Sequence, residues 1–146
     1  MENILTQMFK GDDISRIEEL TRTGRRYVLI GGGKTSFYAS FIAHLFQKVR
    51  KNFVIVLPDE LSAEIFFQDI RTFINNNKDV KFLPSPEFFL KDEDGISPVM
   101  FERVSVFTEV SLTKQPFLLV SQPASIMKKI PSLKEFRKSC IHINTG

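Results

Sequence analysis

Four short apolar runs, separated by stretches with helical spacing, constrain this 146-residue chain more than any other feature. They are Tyr27-Val28-Leu29-Ile30, Phe53-Val54-Ile55-Val56-Leu57, Val80-Lys81-Phe82-Leu83 and Phe117-Leu118-Leu119-Val120. Such alternation is the pattern of a parallel sheet whose strands are joined by crossover helices. The longest run is apolar throughout, as a strand covered on both faces must be. The expected fold class is therefore α/β, a parallel sheet flanked by helices.

The connecting segments support this. Thr35 to Val49 places Phe37, Phe41, Ile42, Leu45, Phe46 and Val49 at helical spacing, and Ser62 to Ile74 repeats the pattern with Ile65, Phe66, Ile70 and Phe73. Val99 to Leu112 gives a third helix through Val104, Phe107, Val110 and Leu112, with Pro98 near its start, where a missing N–H costs nothing. Asp12-Asp13 ahead of Ile14, Ile17 and Leu20 predicts a short lead-in helix with acidic residues at its positive end. Ala124 to Ile130 predicts a short helix ended by Pro131, and Ile141-His142-Ile143-Asn144 alternates like a strand. Asp59 and Glu60 stand where the second helix begins, so their expected role is to cap it. These elements divide the chain into a lead-in over 1–24, an α/β domain over 25–138, and the start of a following domain over 139–146.

Composition excludes several classes. With 42 % hydrophobic and 25 % charged residues, the chain is neither disordered nor fibrous. No apolar run is long enough to span a bilayer, and the first residues lack the pattern of a signal peptide, so no membrane partner and a cytoplasmic location are expected. Cys140 is the single cysteine and His44 and His142 the only histidines, too few for a disulfide framework or a Cys/His zinc site, and no metal site is expected. The fifteen phenylalanines, with no tryptophan, fit core filling better than a base-stacking platform.

The sharpest local signal is Gly31-Gly32-Gly33-Lys34-Thr35-Ser36, between the first apolar run and the first long helix. A phosphate-binding loop uses that setting: glycines let backbone N–H groups turn toward phosphates, Lys34 would reach the β/γ oxygens, and Thr35 would hold magnesium. The candidate cofactor-binding residues are thus Gly31, Gly32, Gly33, Lys34 and Thr35, with ATP and magnesium the ligands they would take. The full eight-residue pattern, however, requires a glycine where Val28 stands. Phe117 to Val120 runs into Ser121-Gln122, which supplies no metal-holding carboxylate. No catalytic residue is assigned, and the chain is expected to need no cofactor of its own.

Net charge is +3, and residues 121–146 carry five basic side chains against Glu135 alone. Lys128, Lys129, Lys134, Arg137 and Lys138 are accordingly the candidate nucleic-acid-binding residues. A solvated helix face accounts for the same charges.

The whole pattern resembles the N-terminal, UvrB-like region of the bacterial transcription-repair coupling factor (Mfd) family. The resemblance rests on Gly31-Gly32-Gly33-Lys34-Thr35, the stretch from Phe53 to Ile65, the run Phe82-Leu83-Pro84-Ser85-Pro86-Glu87, Arg103, the stretch from Leu118 to Ile126, and Lys128-Lys129-Ile130-Pro131. It covers roughly residues 25 to 146. It implies a degenerate P-loop, helicase-like (RecA-like) domain in a DNA repair protein that releases stalled RNA polymerase and recruits UvrA in nucleotide excision repair. In that family the ATP-dependent DNA translocase lies far downstream, and the UvrA-contacting surface lies mainly in the domain that would begin near Ile141. Implied partners are the other domains of the same protein, UvrA, and, through the full-length protein, RNA polymerase and DNA. UvrB carries a long aromatic hairpin where this chain has the short, net acidic Phe88 to Gly95, so damage gripping is not implied. The alternative is a P-loop nucleotide-binding domain with ATPase or kinase-like activity through Lys34 and Thr35.

Overall fold

A computed structural model describes residues 4–24, 29–74, 77–86, 97–127 and 132–139. Along the chain the elements are α1 (Ile4–Met8), α2 (Asp12–Thr23), α3 (Thr35–Val49), β1 (Phe53–Val56), α4 (Glu60–Phe73), β2 (Val80–Phe82), α5 (Pro98–Leu112), β3 (Leu118–Ser121), α6 (Pro123–Ile126) and α7 (Leu133–Ser139). A 3₁₀ turn, Asn77–Asp79, leads into β2. The three strands form a parallel sheet in the order β1-β3-β2. Phe53 faces Leu118 and Val56 faces Ser121 on one side of β3, and Val80 faces Leu118 on the other. The protein is thus an α/β fold built on a small parallel sheet. Among the described residues no helix is long and apolar enough to cross a membrane.

One face of the sheet makes the core. Phe53, Ile55, Leu118, Val120, Val80 and Phe82 pack against Ala39, Phe46, Ala63, Phe66 and Ile70 from α3 and α4. The small residues Ala39, Ala43 and Ala63 are fully buried and let helices and sheet approach closely. The N-terminal helices join this core rather than standing apart: Leu5 and Phe9 are buried in it, and Ile14 and Ile17 pack on its rim. His44 Nε2 lies 2.7 Å from Glu18 Oε1, tying α3 to α2. At the end of α2, Gly24 takes φ 75°, a left-handed conformation that favours glycine, and its N–H donates to Leu20 O.

Of Asp59 and Glu60, Asp59 is the cap of α4 and Glu60 its first residue, and α5 has a cap, Ser97, that the sequence expectations did not include. Asp59 accepts the Ser62 N–H at 2.8 Å through Oδ1 and the Ser62 hydroxyl at 2.8 Å through Oδ2, and Ser97 caps α5 with Pro98 at its first positions. The Ser62 hydrogen bonds hold the Asp59 carboxyl below its ordinary value of 3.8. A carboxylate held low when folded stabilises fully above its unfolded value, and that contribution disappears as pH falls through the folded value. Asp59→Asn keeps a capping side chain without the titration. Urea midpoints at neutral pH and below 3.8 are therefore expected to fall less for Asp59→Asn than for the wild-type chain.

Three sequence expectations meet corrections. Leu29 and Ile30, the described part of the first apolar run, form no strand, and Leu29 is 99 % exposed. Strand preference is a matter of packing on a half-buried surface, and nothing among the described residues covers Leu29. Tyr27 and Val28 lie outside the described residues. The third long helix is where expected, yet it turns Arg103 inward, while Val104 and Leu112 are exposed. Apolar residues occur on every side of α5, so periodicity could not orient it. The short helix expected over Ala124 to Ile130 is α6, which ends at Ile126 with Met127 as its C-cap; residues 128–130, like Ile141 to Asn144, Cys140, His142 and Phe88 to Gly95, lie outside the described residues. Helix α1 has no counterpart in the sequence expectations, whereas α7 lies in the basic stretch for which a solvated helix face is one reading.

Candidate phosphate-binding loop

The glycine loop leads into the N-terminus of α3, the position a phosphate cradle requires. Gly32 has φ 91°, so a side chain there would be strained, and added Cβ atoms on Gly31 or Gly32 would meet open space. Gly33 is confined. A Cβ there would come 2.4 Å from Phe37 Cδ1 and 3.1 Å from Tyr38 Cζ. The Gly33 N–H donates to the Tyr38 hydroxyl at 3.2 Å. Phe37 in turn packs edge-on against Phe9, which directly follows α1, with ring centroids 5.8 Å apart, and the N-terminal segment thereby braces the loop.

The first turn of α3 is also engaged from the side. Ser36 Oγ donates to Asp69 Oδ2 of α4 at 2.9 Å. A carboxylate beside the positive end of a helix satisfies the field that would otherwise attract a phosphate, and it repels one. Lys34 and Thr35 are exposed, with Lys34 extended at the N-cap position and giving no side-chain cap. All five candidate loop residues are contiguous, but the loop directs a backbone donor into its own protein.

At the carboxyl end of β3, an α/β nucleotide site would hold its metal-binding acid. Here Ser121 and Gln122 are buried, and Ser121 Oγ donates to Leu83 O at 3.2 Å. The charge in this region is a cation. Arg103, 5 % exposed, donates from Nη2 to Ser125 O at 2.9 Å and from Nη1 to Pro84 O, and its guanidinium lies 5.7 Å from the Phe107 ring centroid. Burial lowers the Arg103 pKa from its ordinary value. The guanidinium ties the segment after β2 and helix α6 to α5. Among the described residues no group of three or more His, Cys, Asp or Glu could hold a metal ion. A loop donor satisfied internally, an acid at the helix N-terminus and a cation behind β3 do not fit a magnesium triphosphate.

The basic candidates are only partly visible. Lys134 and Lys138 are exposed on α7, four residues apart and so on one face. Lys128 and Lys129, and the side chain of Arg137, lie outside the described residues. A capping box starts α7: Ser132 N and Oγ donate to Glu135 Oε2, and Glu135 N donates to Ser132 Oγ. Those bonds hold the Glu135 carboxyl below its ordinary value.

Sequence reasoning missed Tyr38 and Asp69, which decide the loop's chemistry; neither carries a local signal, since each acts through a contact made only on folding. No protein-family profile, curated protein or solved structure matches the chain.

Proposed function

We propose that this chain is a non-catalytic interaction module, a degenerate helicase-like domain of a transcription-coupled repair factor. In this reading it supports the region that recruits UvrA and packs against the rest of its protein to restrain an ATP-driven DNA motor. The observation that carries the non-catalytic part is the Tyr38 hydroxyl on the Gly33 N–H, which closes the loop upon its own helix. The repair assignment rests on the sequence resemblance. ATP and magnesium are not needed for the role, and RNA polymerase and DNA are met through the full-length protein.

The test adds the purified chain in trans to a coupling factor stripped of its N-terminal module. Lowered ATP turnover by the motor is expected, and the same lowering from Lys34→Ala. Unchanged turnover would contradict the restraint. The second reading, a P-loop ATPase or kinase-like enzyme, is favoured only by the exposure of Lys34 and Thr35 at the head of α3. It requires turnover by the chain alone that Lys34→Ala abolishes.

A further inference from the structure

On the side of the molecule formed by α4, the end of β2 and the start of α5 lies a groove of about 610 Å³. Its apolar lining comes from Ile65, Phe67, Phe82, Pro84 and Val99. Ile65, 49 % exposed, stands one turn from the exposed Leu61, so α4 offers an apolar edge that nothing covers among the described residues. Glu60, Glu64, Asp69 and Glu102 also line the groove, and among the described residues no lysine or arginine does. Asp69 is engaged by Ser36. Glu60, Glu64 and Glu102 form no ion pair among the described residues. Arg71, the cation close by, stacks on Phe67 at 5.2 Å from the ring centroid.

The geometry points to a docking site for a cationic peptide segment of a partner protein, one that sets apolar anchors between α4 and α5 while its lysines or arginines meet Glu60, Glu64 and Glu102. Two features select that occupant. An apolar floor gives binding energy through burial, and a rim of one sign rejects acidic or neutral partners while favouring basic ones. The chain as a whole carries +3. Its long-range field therefore repels a cationic peptide, and capture must come from this local patch. The inference does not depend on the repair assignment.

The test titrates the full chain into a fluorescein-labelled peptide of leucine and lysine at helical spacing, with a leucine–glutamate peptide as control. Saturable binding of the lysine peptide alone is expected, weakened by salt because the rim is solvent-exposed. The variant Glu60→Gln/Glu64→Gln/Glu102→Gln is expected to bind about tenfold more weakly with an unchanged circular dichroism spectrum. Ile65→Ser, at an exposed position, is expected to weaken binding with little effect on the salt dependence. Equal binding of both peptides, or a triple variant that binds as the wild type does, would overturn the proposal. So would calcium or magnesium binding without peptide that the triple variant loses, or self-association of the chain that it loses.

Discussion

Arg103→Met is expected to destabilise the protein by about 2–4 kcal/mol, because it leaves the buried carbonyls of Pro84 and Ser125 without their donor. The methionine fills part of the volume and relieves the cost of burying a charge, so the loss reports mainly the two orphaned acceptors. Arg103→Lys is not conservative here. An ammonium cannot present the planar fork that reaches both carbonyls, and the lysine variant is expected to recover less than half of the loss. Urea unfolding measures both. A Met variant within about 0.5 kcal/mol of wild type would show that these segments do not need the guanidinium.

The other large effect lies in the core. Phe46 is 1 % exposed on α3, with its ring 6.0 Å from that of Phe53 on β1 in an edge-on arrangement. Phe46→Ala removes the side chain that joins helix to sheet and is expected to cost about 3–5 kcal/mol, transfer and cavity together. That is a large share of the roughly 5–15 kcal/mol by which domains are stable. Phe46→Leu, which keeps most of the volume, is expected to lose far less. Thermal unfolding of the pair measures the difference, and equal losses would mean that ring contact rather than filled volume holds α3 to β1.

The parts of this fold that were legible in the sequence are those set by local pattern. Phe117 to Val120 leads into the central strand β3, which is buried throughout, as its apolar run implies. Phe53 to Leu57 forms a strand as expected, but β1 leaves Val54 and Val56 exposed, so an apolar run did not mean cover on both faces. The spacing from Thr35 to Val49 announced α3. Asp59 announced its cap because it stands where the helical pattern begins, and it accepts the Ser62 N–H there. Leu29 and Ile30 misled because an apolar pair looks the same whether or not a neighbouring strand receives it. Arg103 shows the opposite limit. A basic residue within an apolar helix reads as solvated, and only the convergence of Pro84 and Ser125 makes it the residue that α5 buries. The loop was found by its glycines, but its state was hidden: Tyr38 acts through a side-chain contact five residues away that no spacing rule marks, and Asp69 reaches Ser36 at the head of α3 from another helix.

The central claim is that the glycine loop is satisfied by its own protein and leaves the chain to act by docking. Calorimetric titration of magnesium–ATP into the wild-type chain and into Lys34→Ala tests it most directly. The account predicts millimolar or no affinity, the same in both. Micromolar affinity that disappears with Lys34→Ala would contradict it.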